Sequence, residues 1–339
     1  GKGMRVVYSE KEFTSSLDAA KREAKNAFGD DRIYLEKLLT NVKHVEFQIL
    51  GDHFGNIIHL NERECSIQRR HQKIIEETPS PALTPELREK MGEAAVRAAK
   101  AVNYTNAGSV EFVLDQDKNF YFLEINARLQ VEHAITEVTT GIDLVKWQIR
   151  IANGQPLQLK QKDVISRGHA LECRIYAENP EKGFLPASGT VHNVQVPVGV
   201  NIRNDLGISI AGGVISTYYD PMISKLIVHT ESREESIQKM KWALRHSAFQ
   251  GVTTNINFLK DILDHEVFIK GEMTTDFVDK YFSKWKDVKE EIPPIVILAA
   301  GLYELLEPSM ESFTHNGTPV LSNDILSPWN RLGNWGRDN

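Results

Sequence analysis

The order of hydrophobic and polar residues divides the chain into short strands and amphipathic helices. Apolar residues recur at helical spacing in some segments and at every second position in others. The helical spacing predicts helices over residues 10–28, 85–102, 143–153, 233–249 and 257–265. The alternation predicts strands over residues 33–38, 44–51, 57–60, 108–114, 120–124 and 168–177. Because most of these strands follow one another through short turns, the pattern predicts an α+β fold with antiparallel sheets.

Residues 124–133 show the most informative alternation in the chain. Read as one extended strand, the segment places its odd and even positions on opposite faces. The apolar set, which we expect to face the core, is Ile125, Ala127, Leu129 and Val131. The polar set on the other face is Glu124, Asn126, Arg128, Gln130 and Glu132. Carboxylates, amides and a guanidinium together suit a small oxyanion or a cation, although a strand that simply meets water would carry polar residues too.

The strands on either side of the turn at residues 115–119 place two glutamates opposite each other. If the hairpin folds symmetrically, Glu111 and Glu124 are direct cross-strand neighbours. At about 5 Å and an effective dielectric near 20, their repulsion is roughly 3 kcal/mol. Either a proton or a bound cation removes this repulsion. Because Asn126 follows on the same face, the three oxygen donors favour Mg²⁺ or Mn²⁺.

Composition narrows the class of protein. The chain has 339 residues, of which 41% are hydrophobic and 25% charged, and its length suggests two domains. A formal net charge of −6 gives no electrostatic reason to bind nucleic acid or an anionic membrane. The two cysteines, Cys65 and Cys173, form no disulfide framework or zinc motif, which favours a reducing compartment: the cytoplasm, or the mitochondrial matrix in a eukaryote. The longest apolar run, residues 292–306, is interrupted by Pro293 and Pro294, so no membrane segment is predicted.

Other clusters allow two interpretations each. Residues 68–73 form a compact basic cluster that is either a solvated charge run or a site for a polyphosphate or small anion. Residues 1–4 are either the end of a glycine loop that covers phosphates or an ordinary terminus. By their local sequence alone, Arg174 is expected to be a surface residue and residues 217–225 a turn that enters a strand.

Together these segments resemble the biotin carboxylase component of biotin-dependent carboxylases, a branch of the ATP-grasp ligases. The matching stretches are residues 1–7, 44–46, 61–73, 124–137, 172–174 and 218–222. The likeness covers residues 1 to about 282, and residues 327–332 resemble the segment that follows this domain in acyl-CoA carboxylase α-subunits. It implies an ATP-grasp fold followed by a biotin carboxylase C-terminal domain. The implied domains are a remnant of the lid subdomain at 1–40, a metal and bicarbonate subdomain at 41–160, the C-terminal domain at 161–282, and a linker with the start of a further domain at 283–339.

The resemblance also implies a role for individual residues. The implied metal ligands are Glu111, Glu124 and Asn126. The implied ATP-binding residues are Gly1, Lys2, Gly3, Met4, Glu36, Lys37, Leu39, His44, Gln68, His71, Glu111 and Glu124. Bicarbonate is assigned to Lys73, Arg128, Gln130 and the Val131 backbone, the role of general base to Glu132, and stabilisation of the biotin enolate to Arg174. The implied catalytic residues are therefore Lys73, Arg128, Glu132 and Arg174.

The implied reaction is the ATP- and bicarbonate-dependent carboxylation of biotin through carboxyphosphate, with Mg²⁺ or Mn²⁺. No Ala-Met-Lys-Met motif is present, so biotin is expected on a carrier domain elsewhere, with a carboxyltransferase as a further partner and a homodimer or larger complex as the assembly. Family members carry an amino-terminal domain before the position where this chain begins, so the 339 residues alone are expected to be weakly active or inactive. The alternatives are the corresponding domain of pyruvate carboxylase, another ATP-grasp ligase such as a carbamoyl-phosphate synthetase, or a catalytically silent assembly module.

Two departures from the family pattern are visible. Ala127 stands where the family commonly has Thr, and Ala134 and Ile135 stand where it commonly has Pro and Val. Because these positions lie on or after the expected core face, we expect little loss of function.

Overall fold

The computed structural model describes residues 4–208, 213–288 and 292–310, the last seven by their backbone alone. The chain divides into two compact units, residues 1–287 and 288–339, and the candidate site lies in the first. The helices in the described residues are α1 (Glu10–Phe28), α2 (Pro85–Ala101), α3 (His133–Thr140), α4 (Leu144–Ala152), α5 (Arg233–Arg245), α6 (Ile256–Asp264), α7 (Glu266–Ile269), α8 (Phe277–Tyr281) and α9 (Pro294–Met310). The strands of the first half are β1 (Lys43–Gly51), β2 (Ile57–Arg69), β3 (Gln72–Thr78), β4 (Asn106–Leu114) and β5 (Phe120–Asn126). The later strands are β6 (His169–Tyr176), β7 (Glu178–Asn179), β8 (Leu185–Pro186), β9 (Gly189–Val191), β10 (Asn193–Gln195), β11 (Ile202–Leu206), β12 (Gly213–Ile215), β13 (Met222–Thr230) and β14 (Ala248–Gln250).

One eight-stranded sheet organises the first unit. Its strand order is β11-β13-β6-β3-β2-β1-β4-β5, and every neighbouring pair is antiparallel. The mixture of helices with antiparallel sheet is the α+β class that the hydrophobic pattern predicts. Strands from both sides of residue 160 join where β3 pairs with β6. The subdomain boundaries near residues 40, 160 and 282 remain predictions.

Helix α2 begins at a capping residue and packs one apolar face into the core. The Thr84 hydroxyl accepts a hydrogen bond from the Leu87 amide at 3.3 Å, and Pro85 occupies the first turn, where its missing amide is not needed. Met91, together with Ala95 and Ala99, buries the apolar face of the helix against β1 and β4. A second apolar core lies between α5, α6 and the β6–β13 part of the sheet. Most of the strands that contain the site residues are therefore packed against helices.

Three of the predicted elements differ from the observed ones. Residues 33–38 form no strand, because no neighbouring strand in the described residues pairs with them, and Tyr34 and Leu35 are exposed. The strand predicted at 57–60 continues to Arg69, and its hairpin partner β3 is not among the predicted strands. The predicted helix at 233–249 ends at Arg245, since residues 248–250 pair with β10 instead.

A further difference concerns the segment from 124 to 133. The strand ends at Asn126, residues 127–132 form a loop, and α3 begins at His133. Strand β5 is at the edge of the sheet, and β4 begins at Asn106, so little of β4 remains for the chain to pair with beyond Asn126. The expected division into core and polar faces is therefore wrong past this residue: Ala127 is exposed, whereas Gln130 and Glu132 are buried.

In the described residues, no helix is both long enough and apolar enough to cross a membrane.

Candidate active site

The hairpin register places the two glutamates as the sequence predicts. Glu111 on β4 is the direct cross-strand partner of Glu124 on β5, and Ser109 is the partner of Asn126. A register shift follows between Glu111 and Phe112, so the hairpin is not symmetric along its whole length. On the other side of β4, Glu111 pairs with Glu46 of β1. Three carboxylates thus follow one another across three adjacent strands.

Lys73 lies at the centre of a buried carboxylate cluster. Its Nζ is 2.6 Å from Glu46 Oε2, 2.7 Å from Glu111 Oε1 and 2.7 Å from Glu132 Oε1. Burial alone would favour the neutral amine, but these carboxylates hold the pKa of Lys73 well above its usual value. One ammonium from the β2–β3 hairpin therefore joins two strands to the loop after β5.

Glu132 is held from its other side by Arg174. The Arg174 guanidinium lies 2.9 Å from Glu132 Oε2 and donates from Nε to Glu76 Oε1 at 2.6 Å. Glu132 is 1% exposed and Glu76 is fully buried. The carboxylate that the resemblance assigns as a base therefore sits between a lysine and an arginine, one on each oxygen.

Further ion pairs fix the inner strands. Arg63, which is fully buried, donates from Nε to Glu46 Oε1 at 2.6 Å and from Nη1 to Gln48 Oε1 at 2.7 Å. Burial works against the Glu46 carboxylate, but Arg63 and Lys73 outweigh it and lower its pKa. Because each of these charged groups is hydrogen-bonded to more than one partner, the network fixes the orientation of their side chains.

His44 and Gln68, both assigned to ATP, extend the cluster beyond Glu111. His44 Nε2 lies 2.9 Å from Glu111 Oε2, and its Nδ1 lies 3.2 Å from Gln68 Nε2. Burial would raise the pKa of Glu111, but the contacts with His44 and Lys73 lower it overall. Two of the residues assigned to ATP are thereby connected to Glu111, one of the carboxylates assigned to the metal.

The loop after β5 carries the residues assigned to bicarbonate. Arg128 is exposed, and its Nη1 donates to Gln130 Oε1 at 2.6 Å. The buried Gln130 amide donates to Ser109 Oγ at 2.9 Å and to Glu111 Oε1 at 3.3 Å. The Val131 carbonyl accepts a hydrogen bond from Lys225 of β13. The loop is thus held from both sides, with the Arg128 guanidinium facing outward.

The remaining assigned nucleotide residues lie apart from this cluster. Glu36 and Lys37 are exposed in the irregular segment after α1, with Leu39 half-buried beside them, and Met4 is also exposed. His71 is exposed at the tip of the β2–β3 hairpin. In the part of the chain that the structure describes, no hydrogen bond or ion pair links Glu36, Lys37 or His71 to the cluster. Gly1, Lys2 and Gly3 lie outside the described residues, as do residues 327–332, so their assignments stay predictions.

The residues assigned to the metal offer the donor types that suit a hard divalent cation. Glu111 and Glu124 face each other across the hairpin, and Asn126 adds an amide oxygen two residues further on. Carboxylate and amide oxygens are the ligands that Mg²⁺ and Mn²⁺ prefer. Glu124 is exposed, and its Oε1 accepts a hydrogen bond from Asn126 Nδ2 at 3.3 Å. The outer part of the donor set is therefore open to solvent.

The local sequence assigns no specific role to several residues of this cluster. Glu46, Glu76 and Arg63 carry no predicted role, and Lys225 is predicted only as part of a turn that enters a strand. Each lies within a strand, but only Glu46 is flanked on both sides by buried apolar residues, Val45 and Phe47. A charged residue in a strand usually faces water, so the local sequence alone favours the wrong environment.

Comparison with known protein families divides the chain into two matching regions. Residues 1–160 match the family described as "Carbamoyl-phosphate synthase L chain, ATP binding domain". Residues 172–280 match the family described as "Biotin carboxylase C-terminal domain". The two matches together account for most of the chain.

The individual relatives that the chain matches include subunits of acyl-CoA carboxylases and of a pyruvate carboxylase. The chain is 49% identical over 282 residues to the mitochondrial methylcrotonoyl-CoA carboxylase α-subunit of Rattus norvegicus, covering 83% of the chain and 39% of that protein. It is 53% identical over 281 residues to a pyruvate carboxylase subunit of Methanothermobacter thermautotrophicus, covering 83% and 57% respectively. It is 46% identical over 334 residues to the propionyl-CoA carboxylase alpha chain of Homo sapiens, covering 96% and 46%. The chain therefore spans less than two thirds of the length of these relatives.

A solved structure confirms the fold class. The biotin carboxylase domain of the Hydrogenobacter thermophilus 2-oxoglutarate carboxylase, in complex with MgADP, ADP and bicarbonate, superposes with a TM-score of 0.81 at 44% identity. The match covers 85% of this chain and 63% of that one. The biotin carboxylase of Campylobacter jejuni, in its complex with beta-gamma-ATP, gives a TM-score of 0.79 at 41% identity, and the match covers 83% of this chain and 62% of that one.

Proposed function

Because the chain belongs to the biotin carboxylase family of ATP-grasp ligases, we propose that its buried cluster is the site where ATP and bicarbonate carboxylate biotin. The observation that carries this proposal is the position of Glu132 between Lys73 and Arg174. A carboxylate that faces a cation on each oxygen is fixed in place beside an anion-binding side chain. Glu132 is thereby held next to Lys73, one of the side chains proposed to bind bicarbonate.

The first step joins bicarbonate to the phosphate of ATP. Lys73, Arg128 and Gln130 bind and orient the bicarbonate anion. Bicarbonate that binds Lys73 competes with Glu132 for the ammonium and frees one Glu132 oxygen to accept a proton. Glu132 takes the proton from the bicarbonate hydroxyl, the resulting oxygen attacks the γ-phosphorus, and the bond to ADP breaks. The product is carboxyphosphate.

The second step transfers the carboxyl group. Carboxyphosphate splits into CO₂ and phosphate, and the phosphate takes the proton from biotin N1. The nitrogen then forms its bond to CO₂, while Arg174 stabilises the negative charge on the enolate oxygen of biotin. Glu111, Glu124 and Asn126 would hold a divalent cation, which when bound supplies positive charge beside the phosphates.

The partners follow from this chemistry. Biotin would arrive on a carrier domain, and a carboxyltransferase would pass the carboxyl group to the acceptor, within a homodimer or larger complex. The match to a propionyl-CoA carboxylase alpha chain runs over 334 residues, whereas the match to a pyruvate carboxylase subunit runs over 281. This supports an acyl-CoA carboxylase of the propionyl-CoA type, because the match to the methylcrotonoyl-CoA enzyme runs over only 282 residues, like that to the pyruvate enzyme.

The cysteines support a reducing compartment. Cys65 and Cys173 are free and buried, and burial raises the pKa of both thiols. Free, buried thiols agree with the cytoplasm or, for a eukaryotic protein, the mitochondrial matrix, and the names of several relatives include the word mitochondrial.

The test is Glu132→Gln in the complete protein. We expect biotin carboxylation to fall by at least about 100-fold, because the amide cannot accept the bicarbonate proton. Protection by MgATP in a thermal-shift assay should stay within a factor of about two of the wild type in apparent affinity. Glu137→Gln is the matched control, since Glu137 lies in α3 and pairs with Arg203 rather than with the cluster. Unchanged carboxylation in Glu132→Gln, or a loss of nucleotide affinity, would contradict the assigned role.

A further inference from the structure

Glu172 is a buried carboxyl group that the reaction described above does not use. It lies on β6, two residues before Arg174 and therefore on the same face of the strand. The residue is fully buried, and neither carboxylate oxygen has a hydrogen-bond partner in the described part of the chain. An ionised carboxylate without partners in such a place is strongly destabilising, because nothing replaces the water that its charge has lost. The geometry therefore favours a neutral acid.

Glu76 lies directly across the sheet from Glu172. The two residues are cross-strand partners where β3 pairs with β6. Oε1 of Glu76 accepts the hydrogen bond from Arg174 Nε at 2.6 Å, while its Oε2 is buried without a partner in the described residues. Two carboxylates opposite each other in a sheet cannot both be ionised without strong repulsion. Burial raises the pKa of Glu172 well above its usual value and raises that of Glu76 to about 7.

The other charged groups around the pair have partners of their own. Lys225 on β13 is the neighbour of Arg174, but its ammonium binds the Val131 carbonyl and lies 3.3 Å from Asp205 Oδ2. Glu132, from the loop, is held by Lys73 and Arg174. Tyr176 follows on the same face of β6, and burial raises its pKa to about 12, so it is neutral near pH 7. On β13, the cross-strand partner of Glu172 is the apolar Ile227. Within the described residues, Arg174 is thus the only cation that contacts Glu76 or Glu172 directly.

We propose that Glu76 and Glu172 are positioning residues for Arg174: they share one proton, carried by Glu172, so that Glu76 remains the anion that holds the guanidinium beside Glu132. The inference rests on the proposed function for what Arg174 does. Two carboxylates, Glu76 and Glu132, then hold the Arg174 guanidinium independently of each other. When Glu132 accepts the bicarbonate proton it loses its charge and much of its attraction for Arg174. Glu76 does not take part in that transfer and keeps the guanidinium in place for biotin.

The proton is tested directly on the 339-residue chain by infrared spectroscopy. At pH 9, where Glu76 and Glu178, both with a pKa of about 7, are ionised, the chain should show a carbonyl stretch of a protonated carboxylic acid that disappears in Glu172→Gln. Glu77→Gln is the matched control, because Glu77 is the next residue of β3 and is similarly buried, but it pairs with His169 and Arg233. That control should retain the band. Identical spectra for wild type and Glu172→Gln would overturn the proposal, whether or not the chain is active.

The positioning role is tested in the complete protein by kinetics. Glu76→Gln should lower kcat for biotin carboxylation by about 10- to 100-fold, as is usual for a residue that orients a catalytic group. Its KM for ATP should not change. Glu172→Gln replaces one neutral group with another of the same shape and should keep kcat within about threefold of the wild type. Glu76→Asp, which retains the charge, should recover part of the loss.

The pH profile separates positioning from a general structural defect. Protonation of Glu76 as the pH falls below about 7 releases its hold on Arg174, so wild-type carboxylation should decline there, and this part of the decline should be absent in Glu76→Gln. A Glu76→Gln variant that matches Glu77→Gln in kcat, or a Glu172→Gln variant that loses as much as Glu76→Gln, would overturn the proposal. Failure of the wild type to carboxylate biotin would instead contradict the proposed function and leave the infrared test valid.

Discussion

The two ends of the segment from 124 to 133 lie in opposite environments. At the inner end, Glu132 is 1% exposed and has Lys73 and Arg174 within 2.9 Å. At the outer end, Glu124 is exposed and has only the Asn126 amide, at 3.3 Å, as a hydrogen-bond partner of its side chain in the described residues. The protein itself neutralises the inner carboxylate, whereas the outer one depends on solvent or a bound cation. Contacts within the chain therefore already fix the Glu132 carboxylate, whereas the Glu124 carboxylate is left open to solvent.

The largest expected effect comes from removing the inner cation. Lys73→Met should lower the free energy of unfolding by about 3 to 5 kcal/mol, because it leaves three buried carboxylates without their shared partner. Urea denaturation at pH 8 measures this change. Lys146→Met, at an exposed position of α4, is the control and should stay within about 0.5 kcal/mol of the wild type. A Lys73→Met chain as stable as that control would show that the cluster adds nothing to stability.

A smaller effect concerns stability in acid. Because the pKa of Glu111 in the folded protein lies below its usual value of 4.5, its contribution is present above pH 4.5 and is lost as the pH falls through the folded pKa. Each such proton changes the free energy of unfolding by about 1.4 kcal/mol per pH unit. Glu111→Gln should reduce this slope below pH 4.5 by up to that amount, as measured by urea titrations at several pH values. An unchanged slope would mean that the inner contacts do not stabilise the ionised form.

The smallest effect on stability is expected at the outer end. Glu124→Gln should change the free energy of unfolding by less than about 0.5 kcal/mol, because its side chain is exposed. It should, however, weaken the Mg²⁺-dependent protection by ATP in a thermal-shift assay. Asp117→Asn, in the turn of the same hairpin, is the control and should alter neither quantity. A large loss of stability in Glu124→Gln would remove the contrast between the two ends.

The pattern of residues along the chain correctly predicts the helices and the hairpin that depend mainly on neighbouring residues. The bounds of α1 agree with the prediction, as does α2 to within a residue, because each has helical spacing and a clear end or cap. The Glu111–Glu124 pair is predictable because a hairpin places its partners by counting from the turn. The predictions fail where pairing with a segment far away in the sequence determines whether a strand forms. Residues 33–38 have the composition of a strand without a neighbour to pair with, and β3 becomes a strand because β2 and β6 lie on either side of it.

The sequence by itself determined which functional groups the site offers: the opposed glutamates of a hairpin, and the polar side chains of the segment that follows it. Tertiary structure decided which of those side chains are buried and what they contact. Arg174 reaches Glu132 over 42 residues and Glu76 over 98, and the contact with Glu76 depends on the pairing of β3 with β6. A charged residue in a strand is expected to be exposed until its partner is known. Here partners from distant segments make burial of those charges favourable.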